Sequence, residues 1–150
     1  IIGQLLGAGK TEEAVDTDRK LIAFSIMVGV ASGILLAFLA PIFPRLYNTT
    51  EGAKRIAMEM IFAHALCLPL FAFKNATYFT LRSGGKIWVT IIFDSAFLWA
   101  VSVPIAFIIS RFTAFSVVFI YLSVQAGDIL KCILGFILVK KRIWVKNIVD

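Results

Sequence analysis

Leu21-Ile-Ala-Phe-Ser-Ile-Met-Val-Gly-Val-Ala-Ser-Gly-Ile-Leu-Leu-Ala-Phe-Leu-Ala-Pro-Ile-Phe43 holds no charged side chain. An α-helix rises about 1.5 Å per residue, so a stretch of this length covers the roughly 30 Å of hydrocarbon in a bilayer, and it reads as a transmembrane helix. Ser25, Gly29, Gly33 and Ala37 recur at every fourth position and leave one narrow face almost without side chains. A second helix can approach closely there, so Gly29 and Gly33 are expected to be helix-packing positions. Such stripes are weakly specific, and packing inside one bundle is expected ahead of a dimer seam.

The rest of the chain is built to the same plan. Of its 150 residues 60% are hydrophobic and 16% charged, with a mean hydropathy of +0.92. That is too apolar to be covered by a polar surface in water. The net charge of +6 does not point to nucleic acid, because the cations gather at the ends of apolar runs instead of forming a stripe on one face. Cys67 and Cys132 lie within apolar runs and imply no disulfide. The chain opens on Ile1 without the pattern of a signal peptide, and it reads as a piece of a longer protein.

Three more runs qualify as spans, giving 21–43, 56–81, 87–110 and 112–139, with a connector over 1–20 and a basic tail over 140–150. The expected fold class is all-α: a polytopic membrane bundle of four transmembrane helices. Gly7 and Gly9 stop a helix near Leu6, and Thr11 with Glu12 and Glu13 starts another, carboxylates at the positive end of its dipole. Thr49 or Thr50 caps the second span. Pro69 removes a donor in mid-span and frees the carbonyl of Ala65, so that kink is expected to face protein or a water-filled path; Pro104 marks a second kink in the third span.

The short turn at Arg82-Ser-Gly-Gly-Lys86 makes the second and third spans antiparallel neighbours. Lys74 and Asp94 each lie ten residues from Gly84, so they share a depth and can face each other. In the fourth span Asp128 and Lys131 are three residues apart, on one helical face. An unpaired charge at such a depth costs at least about 2.5 kcal/mol, which favours pairing or hydration in a cavity over exposure to lipid, and at similar depths all four can form one cluster. Two readings of it stand: it lines a transport path, or it fastens helices together.

Other polar features carry less. Gly7-Ala-Gly-Lys-Thr11 ends like a phosphate-binding loop, but the glycine five positions before Gly9 is replaced by Gln4 and no strand precedes it, so nucleotide hydrolysis is not expected. The sequon at Asn48 is assigned no role. His64 is read as a plain interfacial or hydrogen-bonded histidine and not as a proton carrier, since nothing near it in sequence could form a relay. No catalytic or metal centre and no cofactor is expected.

Four spans place both ends on one side. That side carries Lys10, Arg19, Lys20, Arg82, Lys86, Lys140, Lys141, Arg142 and Lys146, against Arg45, Lys54, Arg55 and Arg111 on the other. The positive-inside rule makes the first set cytoplasmic and the protein a multi-pass protein of the plasma (bacterial inner) membrane with a cytoplasmic C-terminus.

Gly3-Gln-Leu-Leu-Gly-Ala-Gly-Lys10, then a span, then Leu81-Arg-Ser-Gly-Gly85, then Phe93-Asp-Ser-Ala-Phe-Leu-Trp99 with Pro104, resembles the multidrug and toxic compound extrusion (MATE) family in order and spacing. Gly127-Asp-Ile-Leu-Lys131 and Trp144 look like the end of such a transporter. The resemblance implies the last four of twelve helices, most of the C-terminal lobe, in an antiporter that exports organic cations in exchange for Na⁺ or H⁺. Its partners would be the bilayer, the remaining helices and small organic cations. The family's coupling carboxylate lies on the first helix of the other lobe, and Lys74 stands on the span where some members carry an acid, so the coupling ion is expected to bind mainly outside these residues. Lys74, Asp94, Asp128 and Lys131 are the transport candidates, Asp94 foremost. A flippase for a lipid-linked saccharide and a small four-helix scaffold or accessory protein are the alternatives; the cluster's zero net charge argues against the anionic cargo of the first.

Overall fold

In the computed structural model the described residues are 1–85, 87–112 and 115–145. Lys86 and Lys146, both counted in the charge balance above, lie outside them. A short α1 (Ile2–Gly7) is followed by α2 (Thr11–Leu39), a 3₁₀ turn (Phe43–Leu46), α3 (Glu51–Ser83), α4 (Ile87–Ile91), two π-helical turns (Ile92–Ala96 and Leu98–Ser102), α5 (Val103–Phe112) and α6 (Val117–Lys140). No strand occurs among the described residues. Four helical stretches are long and apolar enough to cross a membrane: Thr11–Leu39, Glu51–Ser83, Asp94–Phe112 and Val117–Lys140.

The ends of these helices follow from local chemistry. Gly9 adopts φ +73, and the amides of Gly9 and Lys10 turn back to Leu6 and Leu5 at 3.1 and 2.9 Å, the hydrogen-bond pattern of a Schellman stop. The resemblance of Gly7–Thr11 to a phosphate loop is thereby explained: its glycine serves a helix end. α2 begins at Thr11 and runs without a break into the apolar stretch, so part of the expected connector belongs to the first long helix. It stops at Leu39, short of Phe43, because Pro41 has no amide hydrogen to continue the ladder. Thr50 caps α3 by accepting from Ala53 N, and Ser116 caps α6 from Phe119 N, so the fourth span opens at Val117 and Phe112 closes α5.

Gly29 and Gly33 form the buried face of α2 and lie on α3. A Cβ on Gly33 would stand 2.7 Å from the carbonyl oxygen of Ala65, the oxygen that Pro69 leaves without a helical donor. A Cβ on Gly29 would meet Ala72 Cβ at 2.7 Å and Pro69 Cα at 3.1 Å. The stripe and the proline thus meet in one contact, with the freed carbonyl turned onto glycine Cα hydrogens. On its other side α3 meets α6, where Gly135 packs on Thr77.

The third span is less regular than a single helix. Pro104 cannot donate to Ala100, and the backbone ahead of it adopts π-helical turns over Ile92–Ala96 and Leu98–Ser102. Among the described residues many large apolar side chains are exposed while several polar ones are buried. Leu66 is 80% exposed and Trp99 70%, while Asp18, Thr80, Asp128 and Lys131 are buried. Apolar side chains outside and polar ones inside suit lipid as the surrounding medium. The one apolar cluster of buried side chains among the described residues, Leu6, Ala14, Val15, Leu81 and Trp144, closes the end where both extremities of the chain meet.

Candidate functional site

Four ionisable side chains from three elements form a chain of contacts inside the bundle. Lys74 on α3 donates to Asp128 Oδ2 at 2.5 Å. Lys131, one turn beyond Asp128 on α6, reaches the other oxygen of that carboxylate at 3.4 Å. The same ammonium stands 3.9 Å from Asp94 Oδ1 on the first π-helical turn. Lys74 therefore pairs with Asp128, not across the turn with Asp94 as equal depth suggests; Asp94 meets Lys131 instead. The reason is register: α3 and α6 pack along their length and bring Asp128 directly to Lys74, a pairing that counting from Gly84 does not reveal.

Burial divides the two carboxylates. The Asp128 side chain is 9% exposed and that of Lys131 6%, whereas Asp94 is 67% exposed. Asp128 sits between two ammonium groups and is neutralised in place, which a buried carboxylate requires. Among the described residues the ion contact of Asp94 is the long one to Lys131, and its side chain is exposed. Each ammonium also lies over an aromatic face, Lys74 over Phe71 and Lys131 over Phe97, both at 4.9 Å from the ring centroid. Gly127 lets the Phe97 ring approach α6, with its absent Cβ 3.5 Å from that ring.

A cavity of about 170 Å³ opens beside the cluster, lined by Lys74, Asn75, Thr77, Tyr78, Thr90, Asp94 and Lys131 among others. The π-helical turn places Asp94 at its edge. Insertions of this kind re-aim side chains and are frequent at functional sites. No group of His, Cys, Asp and Glu that could hold a metal occurs among the described residues.

Two polar contacts escape sequence reasoning. His64 Nδ1 lies 2.8 Å from Tyr121 Oη, which also accepts from Gln125 Nε2 at 2.7 Å. The partners are 57 residues or more away, and only the i, i+4 spacing of Tyr121 and Gln125 above Asp128 hints at them. Asp18 is buried in α2 and accepts from the Thr80 hydroxyl at 2.6 Å, with no partner for Oδ2 among the described residues. Its signal is weak, since Asp16 and Lys20 beside it form an exposed pair at 2.6 Å.

Comparison with known proteins gives one match. A family model described as MatE matches residues 1–108. No curated protein and no solved structure matches the chain.

Proposed function

The chain belongs to the MatE family of membrane transporters, and from that membership we propose that it forms part of a secondary active multidrug exporter, moving organic cations outward by antiport with Na⁺ or H⁺. In this reading the four spans are the last of twelve and make most of the C-terminal lobe, which rocks against the other lobe about a central cavity. The protein lies in the plasma membrane with its C-terminus in the cytoplasm, on the side where the positive-inside rule puts the larger set of cations.

The observation that carries the reading is the unequal hold on the two carboxylates. Asp128 is fixed by Lys74 and Lys131, but Asp94 is exposed at the cavity edge and shares Lys131 at 3.9 Å. A cation that enters can take Asp94 while Lys131 falls back on the Asp128 carboxylate it already shares with Lys74, so every charged group keeps an oppositely charged neighbour. The cluster sums to zero before the cation arrives, which suits a cationic solute better than an anionic headgroup.

The test is Asp94→Asn in the full-length protein. Export of a fluorescent organic cation should fall at least about tenfold, the effect of losing one charge-assisted contact of roughly 1.5 kcal/mol, while expression and unfolding temperature stay as in the parent. Unchanged export in cells that depend on the pump would remove Asp94 from the path.

A further inference from the structure

The interface of α3 and α6 that holds the ion chain carries a second polar group at its other end. α3 presents His64, Phe71 and Lys74 at helical spacing, and α6 presents Tyr121, Gln125, Asp128 and Lys131 likewise. Ten residues separate His64 from Lys74 and Tyr121 from Lys131, about 15 Å along each helix. The contacts climb in step, His64 with Tyr121 and Lys74 with Asp128, so the two helices run parallel. The groups facing the imidazole are Tyr121 from α6 and Phe71 from α3, the latter at 5.4 Å between ring centroids. Gln125 reaches the ring through the Tyr121 hydroxyl, and Asp128 lies two turns beyond Tyr121. α2 meets α3 at Ala65, Leu68, Pro69 and Ala72.

We infer that His64 is a proton-binding site hydrogen-bonded to Tyr121 and through it to Gln125, which stands one turn before Asp128 on α6; as a coupling site it rests on the transport reading above. With Gln125 Nε2 donating to Tyr121 Oη, the phenol hydrogen donates to His64 Nδ1, and the ring hydrogen sits on Nε2. A proton taken from water binds Nδ1, which then donates to Oη in place of accepting from it. The phenol hydrogen must turn to another acceptor. If the Gln125 amide turns over, its Oε1 becomes that acceptor. One N–H bond forms, and it breaks when the proton returns to water. Imidazole suits the task because it is the side chain whose unperturbed titration falls between about pH 5 and 8, and an ionisable group within a membrane span points to function.

The experiment is nitrogen-15 histidine NMR of the full-length protein in lipid nanodiscs, with the His64 signal identified by its loss in His64→Gln. The neutral ring should carry its hydrogen on Nε2 and should take up a proton as the pH falls. Tyr121→Phe should abolish the preference for that tautomer, and Gln125→Leu should weaken it. In proteoliposomes, proton-driven export by the parent should change about tenfold per pH unit on its steep limb, and by less than about twofold in His64→Gln. A ring that stays neutral across the pH span in which export varies, a tautomer indifferent to Tyr121→Phe, or an unaltered pH profile in His64→Gln overturns the inference. A parent protein that exports nothing sinks the transport reading instead, and the titration of the ring still decides the site.

Discussion

Asp128 illustrates how much a single carboxylate can govern when water is absent. It joins Lys74 and Lys131, and its removal would strand the Lys74 ammonium while leaving the buried Lys131 with only the long contact to Asp94. Breaking a buried pair by deleting one partner costs about 3 to 5 kcal/mol, whereas replacing both by apolar groups of similar size is often neutral. Asp128→Leu should therefore lower the unfolding temperature in detergent markedly, and the double variant Lys74→Met with Asp128→Leu should recover most of the loss. Additive losses in the two single variants would show that Lys74 and Asp128 do not act as a pair. The sequence makes the Asp128 and Lys131 spacing plain, because it is local to one helix. The choice of Asp128 over Asp94 by Lys74 is not local; it depends on which helix packs nearest along its length.

At the scale of the element, the contact between α2 and α3 joins two features that are each legible alone. The small-residue stripe announces a close approach, and Pro69 announces a carbonyl without a donor at Ala65. Nothing in either stretch says that Gly33 will lie on that carbonyl, as it does. A side chain at Gly33 must push α2 off α3, and overpacking of this kind costs about 1 to 3 kcal/mol. Gly33→Val is expected to lower the unfolding temperature. Gly52→Ala is the control: nothing lies within 4 Å of its would-be Cβ, and an alanine in a helix should leave stability unchanged or raise it by about 0.5 to 1 kcal/mol. Equal effects at the two positions would mean that helix propensity, and not the close contact, governs. The third span was less legible. Pro104 predicts a disturbance of the ladder, but the π-helical turns that place Asp94 depend on how the backbone absorbs it.

Across the whole molecule, an even number of spans returns the chain to the side it left, and the closed end of the bundle shows the meeting in atoms. Trp144, past the end of α6, is buried against Leu6, Ala14, Val15 and Leu81, and its backbone lies so close to Gly84 that no Cβ could fit there. Arg142 reaches Glu12 at 2.6 Å across 130 residues. Four apolar runs and their flanking charges suffice to read this arrangement from composition; the tryptophan clasp needs the fold. On the orientation proposed above, labelling can check the topology. With Cys67 and Cys132 replaced by alanine, Lys141→Cys should react with a membrane-impermeant maleimide only when the cytoplasmic face is open to it. Thr49→Cys, in the exposed loop between α2 and α3, should react from the outside of intact cells. Because the clasp ties the start of α2 to the end of α6, Lys10→Cys must follow Lys141→Cys in every condition. Labelling of these two from opposite faces cannot be reconciled with four spans, and it would dissolve both the charge argument for orientation and the shared depth of the ion chain.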